Sequence, residues 1–431
     1  MLTAVLLCGL QPVEAQRARS ESFHQRYKLK EVVALSRHNI RAPLSGHASA
    51  LGRLTPHEWF EWSSAPSELS LRGGVLETMM GQFFRKWLVS EGLMEECEQP
   101  APGAMRFYAN SMQRTIATAQ YFSSGMLPVA NVAIEHHFDV GTMDPVFKPQ
   151  LTKVDNDFRK LALSQIARMG GRHGMAGLGE KVRGSYALME RVLDMEHGAA
   201  CQQGDTCGFR TDDTAILLEV GEEPRMTGSL KLACSVSDAL LLQYYEEPDA
   251  QKAAFGHELS FSDWDSIAGV KDWYGDILFT APAVAVNVAH PLLQEILCEL
   301  QNENRRFVFL CGHDSNIGSV LAAIGADDYV LPHAIESKTP IGSKLVIEKW
   351  VDTDGREFAA LHLVYQRVDQ LRGMSMLSRQ NPPEVFGITL NGLTANADGL
   401  YPLAHLRQRL EESIDAYDNL PPKKVANVIN Q

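Results

Sequence analysis

No stretch of this 431-residue sequence reaches the 18 or so uninterrupted apolar residues that a helix needs to cross a bilayer. No Lys/Arg run stands out either, and 53 acidic against 40 basic residues leave a net charge of −13. A nucleic-acid surface is therefore not expected, and an anionic ligand would have to be drawn in by a local cluster of cations. Cysteine is sparse: of seven, Cys201 and Cys207 flank a polar, glycine-containing loop and are the expected local disulfide. A C-x5-C zinc pair would need further ligands nearby, and none stands out. Cys311 lies in an apolar run and is expected to be a small buried side chain. Internal repeats and low-complexity segments are absent. What remains is an ordinary globular composition, 45% apolar and 22% charged, in a chain long enough for two or three structural units.

The first fifteen residues differ from the rest. Leu2 to Leu10 is an apolar run too short to span a membrane, and Val13-Glu14-Ala15 offers small residues at a cleavage position. Residues 1–15 are expected to be a secretory signal, although a basic start is missing. Cys8 lacks the small residue before it that a lipid anchor would want. The expected location is periplasmic or secreted, with no membrane attachment.

Chemistry concentrates in Val32 to Leu44, VVALSRHNIRAPL. Four apolar residues, short and β-rich, read as a strand buried on both faces. They deliver Arg37, His38 and Arg41, a histidine between two arginines. Guanidinium forks match phosphate oxygens in a bidentate way, and an imidazole nitrogen can attack phosphorus. Two further stretches repeat this grammar of strand, polar residues and helix. Met105 to Ala109 leads to Ser111, a candidate helix cap, and to Arg114 in a first helical turn, where free backbone N–H groups favour anions. Arg306 to Cys311 leads to Gly312-His313-Asp314 and a helix from Ile317. In a doubly wound α/β sheet such strand ends lie side by side, so the three loops are expected to form one site.

Elsewhere, Leu51 to Trp62 is rich in aromatic residues and reads as a wall of the cleft. A helix is expected from Leu71 to Gly92, with Val75, Met79, Phe83, Trp87 and Leu88 as its apolar stripe. Gly141 to Pro145 reads as a hinge, and Asp155 to Met195 as helix broken by the glycine-rich run 170–179. Helices over Leu230–Tyr245 and Asp272–Ala289, paired strands over Ser343–Trp350 and Phe358–Gln366, and a closing helix over Leu403–Tyr417 complete the pattern. Glu222 to Arg225 reads as a loop of solvated charge. The expected division is an α/β core of residues 16–149 and 256–431, with a mostly helical cap inserted at 150–255.

The runs SRHNIRAPL, YANSMQRTIATAQYF, GHDSNI and TPIGSKLVIEKW resemble the histidine acid phosphatase family, the two-motif branch of the histidine phosphatases, from about Tyr27 to Tyr417. Within it they resemble the bacterial periplasmic branch that acts on glucose 1-phosphate. The resemblance implies a three-layer α/β sheet domain with a helical cap. It also implies a phosphohistidine intermediate on His38, and Arg37, Arg41, Arg114 and His313 around the phosphoryl oxygens. Asp314 would be proton donor and then base. No cofactor or metal is implied, and the partners are small phosphate monoesters such as glucose 1-phosphate and inositol phosphates, acted on by a monomer or homodimer. Glu223, in an E-P-x-x-x-G-x-L-K context, would stand over the pocket mouth and disfavour highly charged substrates, and Leu44 points the same way. An acidic optimum follows if Asp314 is protonated while His38 is neutral.

Cysteines that the resemblance leads one to expect near Ala130 and at Leu393 and Tyr401 are missing, which leaves Cys97 without a partner, and the 170–179 run is longer than expected. Three alternatives bear on function: a broader phytase of the same family, a mutase-type isomerase sharing the phosphohistidine step, and a non-catalytic phosphate-binding protein.

Overall fold

A computed structural model describes residues 19–44 and 50–421, so the expected signal segment lies outside the described residues. Among those residues nine strands form: β1 (Tyr27–Arg37), β2 (Met105–Ala109), β3 (Ala215–Leu217), β4 (Arg225–Thr227), β5 (Phe307–Gly312), β6 (Lys344–Asp352), β7 (Glu357–Tyr365), β8 (Glu384–Gly387) and β9 (Tyr401–Pro402). Seven of them make one mixed sheet in the order β2-β5-β1-β6-β7-β8, with β9 also on β7; β3 and β4 form a separate ribbon. β2, β5 and β1 run parallel, whereas β6 to β9 pair antiparallel.

The period-two geometry of a strand sends successive β1 side chains to opposite faces, and both faces are covered. Val33 and Leu35 pack under helices Pro282–Leu300, Asp314–Ala323 and Leu403–Asp418. Val32 and Ala34 pack under helices Leu71–Ser90 and Gln113–Met126. The result is the expected three-layer α/β architecture. A third apolar cluster joins helices Asn156–Met169, Arg183–Leu193, Ser229–Glu246 and Phe261–Phe279. Cys201 and Cys207 are disulfide-bonded as expected, and Cys311 is buried in β5. No single helix among the described residues is long and apolar enough to cross a membrane.

Several local expectations need correction. On helix Leu71–Ser90, Met79 and Leu88 are buried as expected and Phe83 and Trp87 pack partly buried against the core, but Val75 is exposed, and the buried face also runs through Leu76, Met80 and Phe84. Close helix contact sets that face: a Cβ on Gly81 would lie 2.1 Å from the Phe122 carbonyl oxygen. Ser111 does not cap the following helix. Met112 holds that position, and the Ser111 hydroxyl instead accepts from the Phe138 N–H at 3.1 Å. The helix read over Asp272–Ala289 is two, broken at Thr280-Ala281, with Pro282 opening the second; proline there lacks only an N–H that would be orphaned anyway. Leu51 to Trp62 does not line the cleft; Trp59 instead packs edge-on against Phe255 at 5.1 Å. The Gly141–Pro145 hinge is an anchor, because Asp144 is buried and accepts from the Tyr108 hydroxyl at 2.7 Å.

Candidate active site

Parallel register brings three strand ends level. Arg37 stands opposite Gly312 and Ala109 opposite Cys311, so the next residues, His38, His313 and Asn110, emerge together at the carboxyl edge. Backbone bonds fix this: His38 N–H donates to the Gly312 carbonyl at 3.0 Å and Asn110 N–H to the Cys311 carbonyl at 2.9 Å. Above the edge lies a cavity of about 1000 Å³ lined by His38, Arg41, Arg114, His313 and Asp314, with Leu44 and Glu223 also on its wall.

His38 is buried, and its Nδ1 lies 2.9 Å from the Asn39 carbonyl oxygen. A carbonyl can only accept, so the proton sits on Nδ1 and Nε2 keeps its lone pair. Burial, with Arg114 and Arg41 close by, holds the imidazolium pKa well below the ordinary histidine value. The ring is therefore neutral in acid, where a free histidine would be protonated. The His313 ring lies 5.5 Å away, steeply inclined at 70°.

The tautomer of His313 follows from a chain of contacts. Asn110 Oδ1 accepts from the Asp144 N–H at 2.8 Å, so Asn110 Nδ2 is the group facing His313 Nε2 at 2.7 Å. Nε2 must then accept, and Nδ1 carries the proton. Burial and Arg114 lower the pKa of His313 to about 3, which keeps it a neutral donor.

The three arginines differ. Arg37 is buried beneath the site, with Nη1 donating at 2.6 Å to both Glu336 Oε1 and the Thr339 carbonyl. Arg41 donates from Nη2 to Asp238 Oδ2 at 3.0 Å. Arg114 makes no ion pair among the described residues, and its buried Nε has no partner. Burial and the neighbouring Arg41 push its pKa down to about 10, the mark of a cation short of a counter-charge. An anion entering the cavity would supply one.

Asp314 opens helix Asp314–Ala323, three residues earlier than the sequence suggested, and accepts from the Ser315 N–H at 2.9 Å. Its Oδ2 accepts from Lys271 Nζ at 2.7 Å and lies 3.6 Å from Arg37 Nη2. Burial pushes the carboxyl up, but Lys271 and Arg37 hold it well below the usual carboxylate range. The free protein thus carries Asp314 ionised, and the sequence-based reason for an acidic optimum, a protonated Asp314, does not describe this state.

Glu223 sits between β3 and β4, half-buried rather than solvated, and burial raises its pKa against the pull of Lys148 and Arg114. Leu44 is 62% exposed at the rim. All six core residues expected from the sequence are thus brought together, with Glu223 and Leu44 at the cavity wall. Lys271, Asp238 and Glu336 were not anticipated, and no local pattern marks them. Asn110 could have been found, since it follows β2 as His38 follows β1. Among the described residues, the one group of potential metal ligands, Asp194, Glu196 and His197, does not line the cavity.

Comparison with known proteins agrees with this geometry. The sequence matches the Histidine phosphatase superfamily (branch 2) over residues 28–187 and 233–366. It is 35% identical to a glucose-1-phosphatase of Salmonella typhimurium, over 93% of this chain and 96% of that protein. A glucose-1-phosphatase of Providencia rettgeri is 34% identical, over 92% and 94%. Among solved structures, Hafnia alvei phytase in complex with myo-inositol hexakis sulphate superposes with a TM-score of 0.81 at 27% identity, covering 90% of this chain and 97% of that one. Likeness of this extent, over a sheet edge that presents an unprotonated imidazole nitrogen among arginines, makes the chain a phosphatase belonging to the histidine phosphatase superfamily, branch 2.

Proposed function

We propose that this phosphatase hydrolyses sugar phosphate monoesters, glucose 1-phosphate among them, through a phosphohistidine on His38. The observation that carries the reading is the neutral His38, with Nδ1–H held by a carbonyl and the lone pair left on Nε2, beside Arg114, which has no ion pair among the described residues. Arg37, Arg41, Arg114 and the Nδ1–H of His313 bind the non-bridging oxygens and stabilise the charge of the transition state. His38 Nε2 forms the N–P bond as the ester P–O bond breaks.

The leaving alkoxide takes a proton from Asp314. Below about pH 6, where a phosphate monoester keeps one proton, the substrate brings that proton in. Asp314 can accept it once Arg37 and Lys271 turn part of their charge to the phosphoryl group. Ionised again, Asp314 takes a proton from water, which attacks phosphorus, breaks the N–P bond and frees phosphate. Because His38 stays neutral in acid, the nucleophile is competent where the monoanionic substrate prevails, and the optimum is acidic.

Glu223 and Leu44 narrow the mouth, and a poorly solvated carboxylate there disfavours a polyanion. The 150–255 segment serves as the cap, since Met169, Glu223, Lys231 and Asp238 line the cavity from it. A broader phytase is the second reading, favoured by the size of the cavity and by the likeness to Hafnia alvei phytase. We place the enzyme in the periplasm or outside the cell, as a monomer or homodimer. Phosphate release from glucose 1-phosphate and from phytate by the purified protein tests the function. Faster release from glucose 1-phosphate supports it, faster release from phytate favours the second reading, and binding without release leaves a phosphate-binding protein.

A further inference from the structure

Directly behind the site lies a fully buried ion pair. Lys344 Nζ on β6 stands 2.8 Å from Glu77 Oε1 on helix Leu71–Ser90, and both side chains are completely inaccessible. Stripping two charges of water is costly, and well-packed apolar residues often serve as well or better. The contacts of the other Glu77 oxygen suggest what the pair does. Glu77 Oε2 accepts from Asn39 Nδ2 at 2.8 Å, and Asn39 Oδ1 accepts from the Ile40 N–H at 2.8 Å. That N–H belongs to the same peptide plane as the Asn39 carbonyl, the group 2.9 Å from His38 Nδ1. Turning the plane would break the bond to Oδ1, and moving the Asn39 amide would break the bond to Glu77.

Other contacts close the arrangement. Asn39 N–H donates to Thr118 Oγ1 at 3.2 Å. Lys344 Nζ also donates to the Gly342 carbonyl at 2.9 Å, and Gly342, at φ +68°, leaves room for the amide; a Cβ there would lie 2.6 Å from Asn39 Nδ2. Sheet, helix and site loop therefore meet on one asparagine side chain.

We infer that Glu77 and Lys344 are positioning residues. They hold the Asn39–Ile40 peptide plane so that its carbonyl keeps the His38 proton on Nδ1 and aims Nε2 at phosphorus. Neither touches substrate. The inference rests on His38 as nucleophile, and its test separates the two claims. It also separates charge from hydrogen bonding: Glu77 has to be an acceptor, and Lys344 is there to make a buried carboxylate tolerable.

The test uses E77L/K344M, which removes charge and acceptor, E77Q/K344M, which keeps an amide acceptor for Asn39 without charge, and N39A, which leaves the ion pair intact. With p-nitrophenyl phosphate, E77L/K344M is expected to lose about 10²-fold in kcat, the scale of a small misplacement, with KM little changed. E77Q/K344M recovers most of that loss. ¹⁵N spectra of the His38 ring are expected to show the Nδ1–H tautomer in the wild type and a mixture in E77L/K344M. Should that variant not fold, N39A is expected to give the same kcat loss and mixed tautomers. Wild-type kcat in folded E77L/K344M, equal losses in both double variants, or an unchanged tautomer in N39A would overturn the inference. An active H38A would instead overturn the nucleophile, whatever the spectra show.

Discussion

Lys271 Nζ and Asp314 Oδ2 lie 2.7 Å apart, and the same ammonium stands 3.3 Å from Glu336 Oε1. The lysine thus ties Asp314, the proposed acid–base group, to the buried carboxylate that holds Arg37. An opposite charge this close depresses a carboxyl pKa. In the proposed mechanism water activation needs Asp314 ionised, so activity is expected to fall as the pH drops through its pKa. K271M should raise that pKa and move the acid limb of kcat to higher pH. A pH–rate profile decides this, and an acid limb that stays in place would show that Lys271 does not set the charge of Asp314.

If Asp314 is the proton donor, removing it should hurt most where the leaving group is poorest. D314N is expected to lose about 10²–10⁴-fold on glucose 1-phosphate and much less on p-nitrophenyl phosphate, whose phenolate leaves unaided. Single-turnover rates on the two substrates provide the comparison. Equal losses would count against Asp314 as donor.

Glu223 has a raised pKa because it is half-buried, so it gives up its charge earlier than an ordinary carboxylate as the solution is acidified. Its repulsion of a polyanion should fade in step. The phytate-to-glucose 1-phosphate activity ratio is expected to rise on acidification in the wild type. In E223Q the ratio should be higher near neutrality and less dependent on pH. Identical pH courses for the two proteins would remove Glu223 from substrate selection.

Stability should also favour acid. Glu31 on β1 is 2% exposed with neither carboxyl oxygen hydrogen-bonded among the described residues, and burial raises its pKa to about 8. A carboxyl whose folded pKa lies above its unfolded value contributes a penalty that grows as the pH rises from the unfolded value toward the folded one. E31Q is therefore expected to raise stability by about 2 kcal/mol near pH 8 and to change little near pH 4. Denaturant melts at the two pH values measure it; equal effects at both would mean that ionisation of Glu31 is not the cause.

The catalytic edge was legible because its signals are local. Each of β1, β2 and β5 is a short apolar run followed at once by its polar cargo, and parallel register does the rest. What escaped is what tertiary packing decides. Lys271 lies midway along helix Phe261–Phe279 with no motif of its own, and only the fold carries it to Asp314. Glu77 has no local signal that marks it as buried; it is buried because the apolar face passes through Leu76 and Met80. Ser111 has the chemistry of a cap, but its hydroxyl serves the Phe138 N–H instead, a partner 27 positions away. The break at Pro282 was hidden by apolar residues on both sides of it.

Covalent capture of the phosphoryl group on His38 tests the central claim most directly. Enzyme mixed with ³²P-labelled glucose 1-phosphate, quenched in alkali within milliseconds and digested should yield one labelled peptide containing His38, its label stable in base and lost in acid. H38A should carry no label and turn over no substrate. A wild-type enzyme that turns over without such a label, or one labelled at another residue, would contradict the phosphohistidine mechanism.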